Sequence, residues 1–227
     1  IEITTRTPRR DRVQGSVTLD LIDGSVLVEG PLTPKLSFAA GARLSFIGFL
    51  LPYLSSSPRL RPFYWDYQLA LRYRASPRDD LDLLVFGSTS DITAQVDDPD
   101  PNVAVNIASK SYFGRARLRW THRFAPGTTL TVTPSIGADK FTLDTGQQGV
   151  GGKAISEETL VLGYNLRAEL RRRVHPLLDL ALGLDFEGSR TTVDSTAPGG
   201  APISGGEGQG VPGGSGDLIR DAAGAEG

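Results

Sequence analysis

The sequence predicts an all-β fold: an antiparallel up-and-down transmembrane β-barrel, of which about nine strands lie in this chain. Three observations predict it. Long segments alternate apolar and polar residues, so one side of each strand must meet oil and the other water. These segments run about 10 to 15 residues, where soluble strands usually run about 5 to 6 and spanning strands need about 9 to 11. The connectors also alternate between short and long, as in barrels with short turns at one rim and long loops at the other.

Strand one is expected at about 13–22, with Val17, Leu19 and Leu21 on one face. Asp23-Gly24, a common hairpin pair, is expected to turn the chain into strand two at 25–29. Strand three is expected at 36–49, with Phe38, Ala40, Ala42, Leu44 and Phe46 outward. Strand four, 63–74, is the clearest. Trp65, Tyr67, Leu69, Leu71 and Tyr73 share its oily face, and Asp66, Gln68, Arg72 and Arg74 the other. Trp65 and Tyr73 are eight steps apart, roughly 26 Å at about 3.3 Å per step. A tilt of about 40° reduces this to about 20 Å, near the apolar band of about 25 Å.

Strand five is expected at 81–93 and strand six at 112–124. On strand six Arg115, Arg117, Arg119, Thr121 and Arg123 oppose Ala116, Leu118, Trp120 and Phe124, with Tyr112 and Phe124 bracketing the oily face. An arginine on lipid costs about 2–4 kcal/mol at the midplane, so the arginine row belongs on a wet or protein-filled side. Strand seven, 129–143, contains Pro134, which removes one ladder hydrogen bond. Strands eight and nine are expected at 159–174 and 178–192. Short connectors fall at 30–35, 76–80, 125–128 and 175–177. Long ones fall at 50–62, 95–111 and 144–158, and the Gly-rich segment after 194 is expected to be a flexible loop or truncated tail.

A soluble sandwich or small ligand-binding barrel also has one oily face, turned inward. Strand length, aromatic spacing and the charged opposite face favour the membrane. No stretch approaches the roughly 20 apolar residues of a membrane helix, so any crossing is made by strands. A net charge of −2 gives no electrostatic case for nucleic acid. The absence of cysteine removes disulfides and thiolate metal sites. With no methionine and no leader pattern at Ile1-Glu2-Ile3-Thr4-Thr5-Arg6, the chain is expected to be an internal or mature piece of a longer protein.

The opening Ile1-Glu2-Ile3-Thr4-Thr5-Arg6-Thr7-Pro8 resembles the segment that closes the plug of TonB-dependent outer-membrane receptors. Glu29-Gly30-Pro31-Leu32 resembles that family's first periplasmic turn. Arg43-Leu44-Ser45-Phe46-Ile47 with Leu50-Leu51-Pro52, and Phe63-Tyr64-Trp65-Asp66-Tyr67-Gln68, resemble the third and fourth strands of receptors of myxobacterial type. The order and spacing of these landmarks over about 1–187 carry the resemblance. It implies a plug-to-barrel junction at 1–12, a partial barrel at 13–194 and a tail at 195–227. It further implies uptake of a scarce nutrient, such as an iron–siderophore chelate, in a Gram-negative outer membrane. The implied partners are outer-membrane lipid, the plug of the same protein, the TonB energy-coupling complex through an upstream segment, and the chelate itself. Family barrels have 22 strands, so nine would be under half of one. A barrel without a plug remains an alternative.

The residues expected to face the lumen, where they would dock a plug or line a ligand path, are Asp66, Arg72, Arg74, Arg115, Arg117, Arg119 and Arg123. The competing expectation for the arginine row is pairing with Asp82, Asp91 or Asp139 across the ladder. Trp65, Tyr67, Tyr73, Tyr112, Trp120 and Phe124 are expected to form a lipid-facing aromatic girdle. No catalytic residue, metal site or cofactor is expected. Gly149-Val150-Gly151-Gly152-Lys153-Ala154 lacks the first glycine and the final Ser or Thr of a phosphate loop. The acids of 97–102 are interrupted by two prolines and lack a following bidentate glutamate. His122 and His175 are isolated from each other, and His122 is expected at an interface.

Overall fold

A computed structural model describes residues 7–54, 60–96, 104–148, 155–196 and 203–204. It is one antiparallel sheet in which every strand pairs only with its neighbours in sequence. The strands are β1 (Gln14–Leu19), β2 (Asp23–Thr33), β3 (Leu36–Ser45), β4 (Leu60–Arg74) and β5 (Asp79–Val96), followed by β6 (Ala104–Ala125), β7 (Thr128–Gln148), β8 (Ile155–His175) and β9 (Leu178–Thr196). A two-residue β10 (Ile203–Ser204) lies against β9. The sheet does not close: β1 and the β9–β10 side remain its edges. The nine-strand meander matches the expected fold, with β2 to β9 at least ten residues long and β1, expected at 13–22, limited to six.

Register makes the sheet two-faced throughout. Ala40, Leu69, Val85, Ala116, Ile136 and Tyr164 form one cross-strand row, and Phe38, Leu71, Leu83 and Leu118 lie in the next apolar row. The rows between carry charge: Ser37, Arg72, Asp82 and Arg119 align, as do Arg74, Asp80 and Thr121. Among the described residues no hydrophobic side chain is buried, whereas Glu29, Ser37, Ser45 and Asp80 are. This inverts the usual distribution in a globular domain. Among the described residues no second layer is packed on the oily side of the sheet.

Several boundaries differ from expectation. β5 to β8 extend past their predicted ends, to Val96, Ala104, Gln148 and Ile155. The alternation stops near Leu143 because both faces are polar over 144–148, and near Thr93, Tyr112 and Thr159 because only short apolar remnants such as Val105 and Ile107 lie beyond those points, yet the backbone ladder continues there. The two long loops thereby shrink to 97–103 and 149–154. Those segments, with residues 1–6, 55–59, 197–202 and 205–227, lie outside the described residues. The phosphate-loop-like stretch, the acidic run at 97–102, the start of the plug-like junction and nearly all of the tail fall among them.

The expected turn at Asp23-Gly24 is not where the chain reverses. The turn spans 20–22, closed by Asp20 N–H donating to the Asp23 carbonyl at 2.9 Å. Asp23 belongs to β2, where its carboxylate accepts from the Tyr64 hydroxyl at 3.1 Å and sits 4.0 Å from Arg43. β2 runs on through Gly30-Pro31 to Thr33, so the β2–β3 turn is only residues 34–35.

Strand three was expected to continue to 49 but ends at Ser45, and Ile47–Leu54 form a helix, α1. The run from Phe46 to Leu51 has no polar alternate residue, so nothing in it directs one side outward as a strand requires. Ser45 starts the helix: its Oγ accepts from the Ile47 N–H and donates to the Ile22 carbonyl, both at 3.3 Å. Gly48 allows close contact with β4, since a Cβ there would lie 2.5 Å from the Pro62 carbonyl oxygen.

At the opposite rim, Pro126 and Gly127 alone join β6 to β7, with Gly127 at φ 80° as the third residue of a tight turn. Pro134 has its expected effect. The β6–β7 pairing lapses between Arg117–Ser135 and Trp120–Val132, while the β7–β8 ladder is continuous past Pro134.

Candidate functional site

The polar face is the one place where buried charge concentrates. All seven residues expected to face a lumen share it. Asp66, Arg72 and Arg74 alternate on β4, and Arg115, Arg117, Arg119 and Arg123 on β6; register aligns them through Gln68–Phe86–Arg115 and Arg72–Asp82–Arg119. Strand geometry enforces this, because residues two apart on a pleated strand point the same way.

The densest cluster surrounds Asp80, which is 4% exposed. Arg123 donates to its Oδ2 at 2.7 Å, Arg74 Nε lies 3.8 Å from Oδ1, and Arg72 Nη2 lies 4.0 Å from Oδ2. Arg72 Nε also approaches Asp82 at 3.4 Å. One carboxylate thus anchors guanidiniums from β4 and β6, and its burial is tolerable because it is surrounded by opposite charge. The side-chain atoms Ser37 Oγ, Arg72 Nε and Asp80 Oδ1 are buried there without hydrogen-bond partners among the described residues.

The hub was legible in principle. If β4 and β5 form a hairpin about Ser76-Pro77-Arg78, the alternating pair Arg72, Arg74 must face Asp82, Asp80. The alternation of 81–93 singles out Asp82, whereas Asp80 falls in the stretch expected to be the 76–80 connector.

Thr7 and Arg9, ahead of β1, lie on this same side. Arg12 and Val13 crowd Gly30 at the sheet's edge. Thr7 Oγ1 then accepts from Arg72 at 3.5 Å, and Arg9 lies 3.8 Å from Glu29, which also accepts from Gln14 at 2.8 Å. Pro8 is buried among them. The lead-in to the first strand therefore passes over the polar face, next to the arginines of β4.

The arginine row divides between its two expectations. Arg115 pairs across the ladder with Asp139, as one predicted, and Arg123 pairs with Asp80. Asp82 and Asp91 are engaged elsewhere, by Arg72 and by Lys110 at 3.6 Å. Arg117 and Arg119 make no hydrogen bond or close ion pair with any acid among the described residues. They stand two residues apart on the polar face, with Asp82 across the ladder from Arg119 and within electrostatic reach of Arg117. On β4, Asp66 is held by Arg43, whose Nε and Nη2 both reach its Oδ2 at 2.8 Å.

The six aromatics expected on the oily face lie there. Trp65 stacks on Tyr67 with ring centroids 5.3 Å apart. The hydroxyls of Tyr67 and Tyr112 are hydrogen-bonded to each other. Tyr73 and Trp120 fall in one cross-strand row with Leu81. Phe124 lies beyond them and packs on His122, 4.4 Å between centroids. His122 sits between Trp120 and Phe124 with Nδ1 2.7 Å from Asp79, which also accepts from Trp120 Nε1 at 3.1 Å and from Ser76 Oγ at 2.6 Å. Ser76 and His122 both bind the same aspartate and do not bind each other, so no serine–histidine relay exists. The cluster fixes the β4–β5 turn to the end of β6. Asp79 escaped the sequence reading because it precedes the alternating part of β5.

Among the described residues no group of three His, Asp or Glu converges as a metal site, and no helix is long and apolar enough to cross a membrane. No protein-family model, curated protein or solved structure matches the chain.

Proposed function

We propose that this chain is part of the wall of an outer-membrane transport barrel, of the TonB-dependent receptor type that its sequence landmarks resemble. The observation that carries the proposal is the uncovered oily face. Leu162, Leu166, Leu170, Leu182, Leu184 and Phe186 are all exposed on it, in a sheet whose other side is charged. In water such a face would be a very large apolar patch, far beyond what a soluble monomer displays. Against lipid it is matched, and apart from the lapse between β6 and β7 at Pro134 the ladders inside the sheet are nearly continuous, as a bilayer demands.

Two further observations favour a receptor with something seated inside over an empty barrel. The lead-in at Thr7–Arg9 runs over the polar face, where a plug-to-barrel connection would enter. Arg117 and Arg119, which share Asp82 as an acid neighbour with Arg72, offer positive charge to an acidic plug surface or an anionic solute. In this reading the loops between β3 and β4, β5 and β6, and β7 and β8 capture a bulky, scarce nutrient such as an iron chelate. The plug then rearranges under force from the TonB complex. No covalent step is involved.

Fractionation of the full-length protein tests the membrane assignment. Recovery with outer membranes, released only by detergent, is expected; recovery as a soluble protein would end it. Uptake of radiolabelled iron chelates that depends on the inner-membrane proton gradient separates a receptor from a barrel without a plug. A gradient-independent or absent flux would leave only the barrel.

A further inference from the structure

The helix α1 has no role in the wall or in the polar face, and its chemistry is unusual for a surface loop. Ile-Gly-Phe-Leu-Leu-Pro-Tyr-Leu contains no charged residue and no polar group except the Tyr53 hydroxyl. Phe49 and Tyr53, one helical turn apart, are 74% and 87% exposed. Together with Phe63 and Arg61 of β4 they line an open groove of about 370 Å³. Phe63 and Arg61 share the side of β4 that carries Trp65, while Ser45 and Pro62, which also line the groove, belong to the opposite side, so the groove lies at the strand ends and borders the oily face through Phe63. Phe63 pairs with Asp91, where the oily face first becomes charged. The helix therefore sits where the apolar band of β4 gives way to water.

We propose that α1 is an interfacial anchor that lies in the lipid leaflet at the long-loop rim, with Phe49 and Tyr53 among acyl chains and headgroups. This rests on the reading of the sheet as a membrane wall. Lipid is the occupant because the exposed aromatics continue the oily face through Phe63 and Trp65, and because α1 presents no charge that would select a polar ligand. An aromatic ring with one hydroxyl and a guanidinium on a long stem are side chains that span the boundary between hydrocarbon and water. The interfacial apolar segment lies flat, as an interfacial helix does, and its root is fixed by the Gly48–Pro62 contact.

The chain has no cysteine, so single-cysteine variants of the full-length protein report one site each. Phe49→Cys, Tyr53→Cys, Leu69→Cys and Thr93→Cys are spin-labelled and reconstituted in phosphatidylethanolamine–phosphatidylglycerol vesicles. Collision with oxygen, which concentrates in lipid, is compared with collision with a nickel chelate, which stays in water. The oxygen-to-nickel ratio at 49 and 53 is expected to exceed that at Thr93 several-fold and to fall below or near that at Leu69. If Leu69 reads as lipid while 49 and 53 read like Thr93, the anchor is overturned and the barrel stands. If Leu69 itself reads as water, there is no lipid wall, and both readings fail.

Discussion

The Arg115 guanidinium closes on both carboxylate oxygens of Asp139, at 2.9 and 2.7 Å, after lying flat across Gly137 on the neighbouring strand. Its other terminal nitrogen donates to the Gly114 and Ala138 carbonyls at 3.0 and 3.1 Å. Both side chains are partly solvated, so the pair fixes geometry more than it adds stability. A double-mutant cycle with Arg115→Ala and Asp139→Ala, read by urea unfolding in detergent micelles, should give a coupling of about 0.5–1 kcal/mol. A coupling of zero would show that the pair is incidental.

Asp80 should behave differently. Removing it leaves Arg123, Arg74 and Arg72 facing one another without their shared counter-charge. Asp80→Ala should destabilise by about 3 kcal/mol or more, and Arg74→Ala, which removes only the 3.8 Å contact, by less than about 1 kcal/mol. Equal costs in the same unfolding assay would contradict the hub.

Gly87 opposes Tyr67, and a Cβ on it would lie 2.6 Å from the Phe113 carbonyl oxygen and 2.8 Å from the Tyr67 hydroxyl. The carbonyl belongs to the ladder and cannot yield. Gly87→Ala should cost about 1–3 kcal/mol through this overpacking. Gly146→Ala, with no atom within 4 Å of its Cβ, should be neutral in the same thermal melt.

Lipid and water make opposite demands on Leu166, which lies midway along the apolar face of β8 and is exposed. In a bilayer Leu166→Arg should lower folding stability by about 2–4 kcal/mol. In water the same change would be neutral within about 0.5 kcal/mol. Folded fraction on reconstitution, scored by resistance to unfolding in gel sample buffer at room temperature, decides between them.

Arg117 and Arg119 make no hydrogen bond or close ion pair with an acid among the described residues, so replacing both by alanine should leave the stability of the sheet within about 0.5 kcal/mol of the parent. If they hold a plug, the double variant should instead speed proteolytic release of that domain from the full-length protein. An unchanged digestion rate would remove them from plug docking.

The sequence made the two-faced strands legible because alternation survives wherever one side meets oil. Trp65 through Arg74 could be assigned side by side before any neighbour was known. Alternation carries no information once both faces are wet, which is why 144–148 reads as a loop although it pairs, and the two apolar residues Val105 and Ile107 are too short a run to mark 104–111 as strand. The Asp23-Gly24 turn failed for another reason. Asp23 has a tertiary use, the Tyr64 hydroxyl and Arg43, that turn statistics do not contain. Ion partners were half legible. Asp139 was foreseeable from β6 and β7 alone, whereas the capture of Asp82 by Arg72 depends on which of two flanking strands reaches it first.

The strictly sequential strand order has a consequence for how the sheet is made. No strand waits for a distant segment, so each pairing costs little more than closing the connector before it, two residues at 126–127 and at 176–177. Each hairpin can close outward from its own turn, with no pairing that spans an intervening strand. The newest strand always presents the free edge on which the following one is laid, so the wall can lengthen hairpin by hairpin, and an interruption at any stage leaves a shorter sheet of the same design.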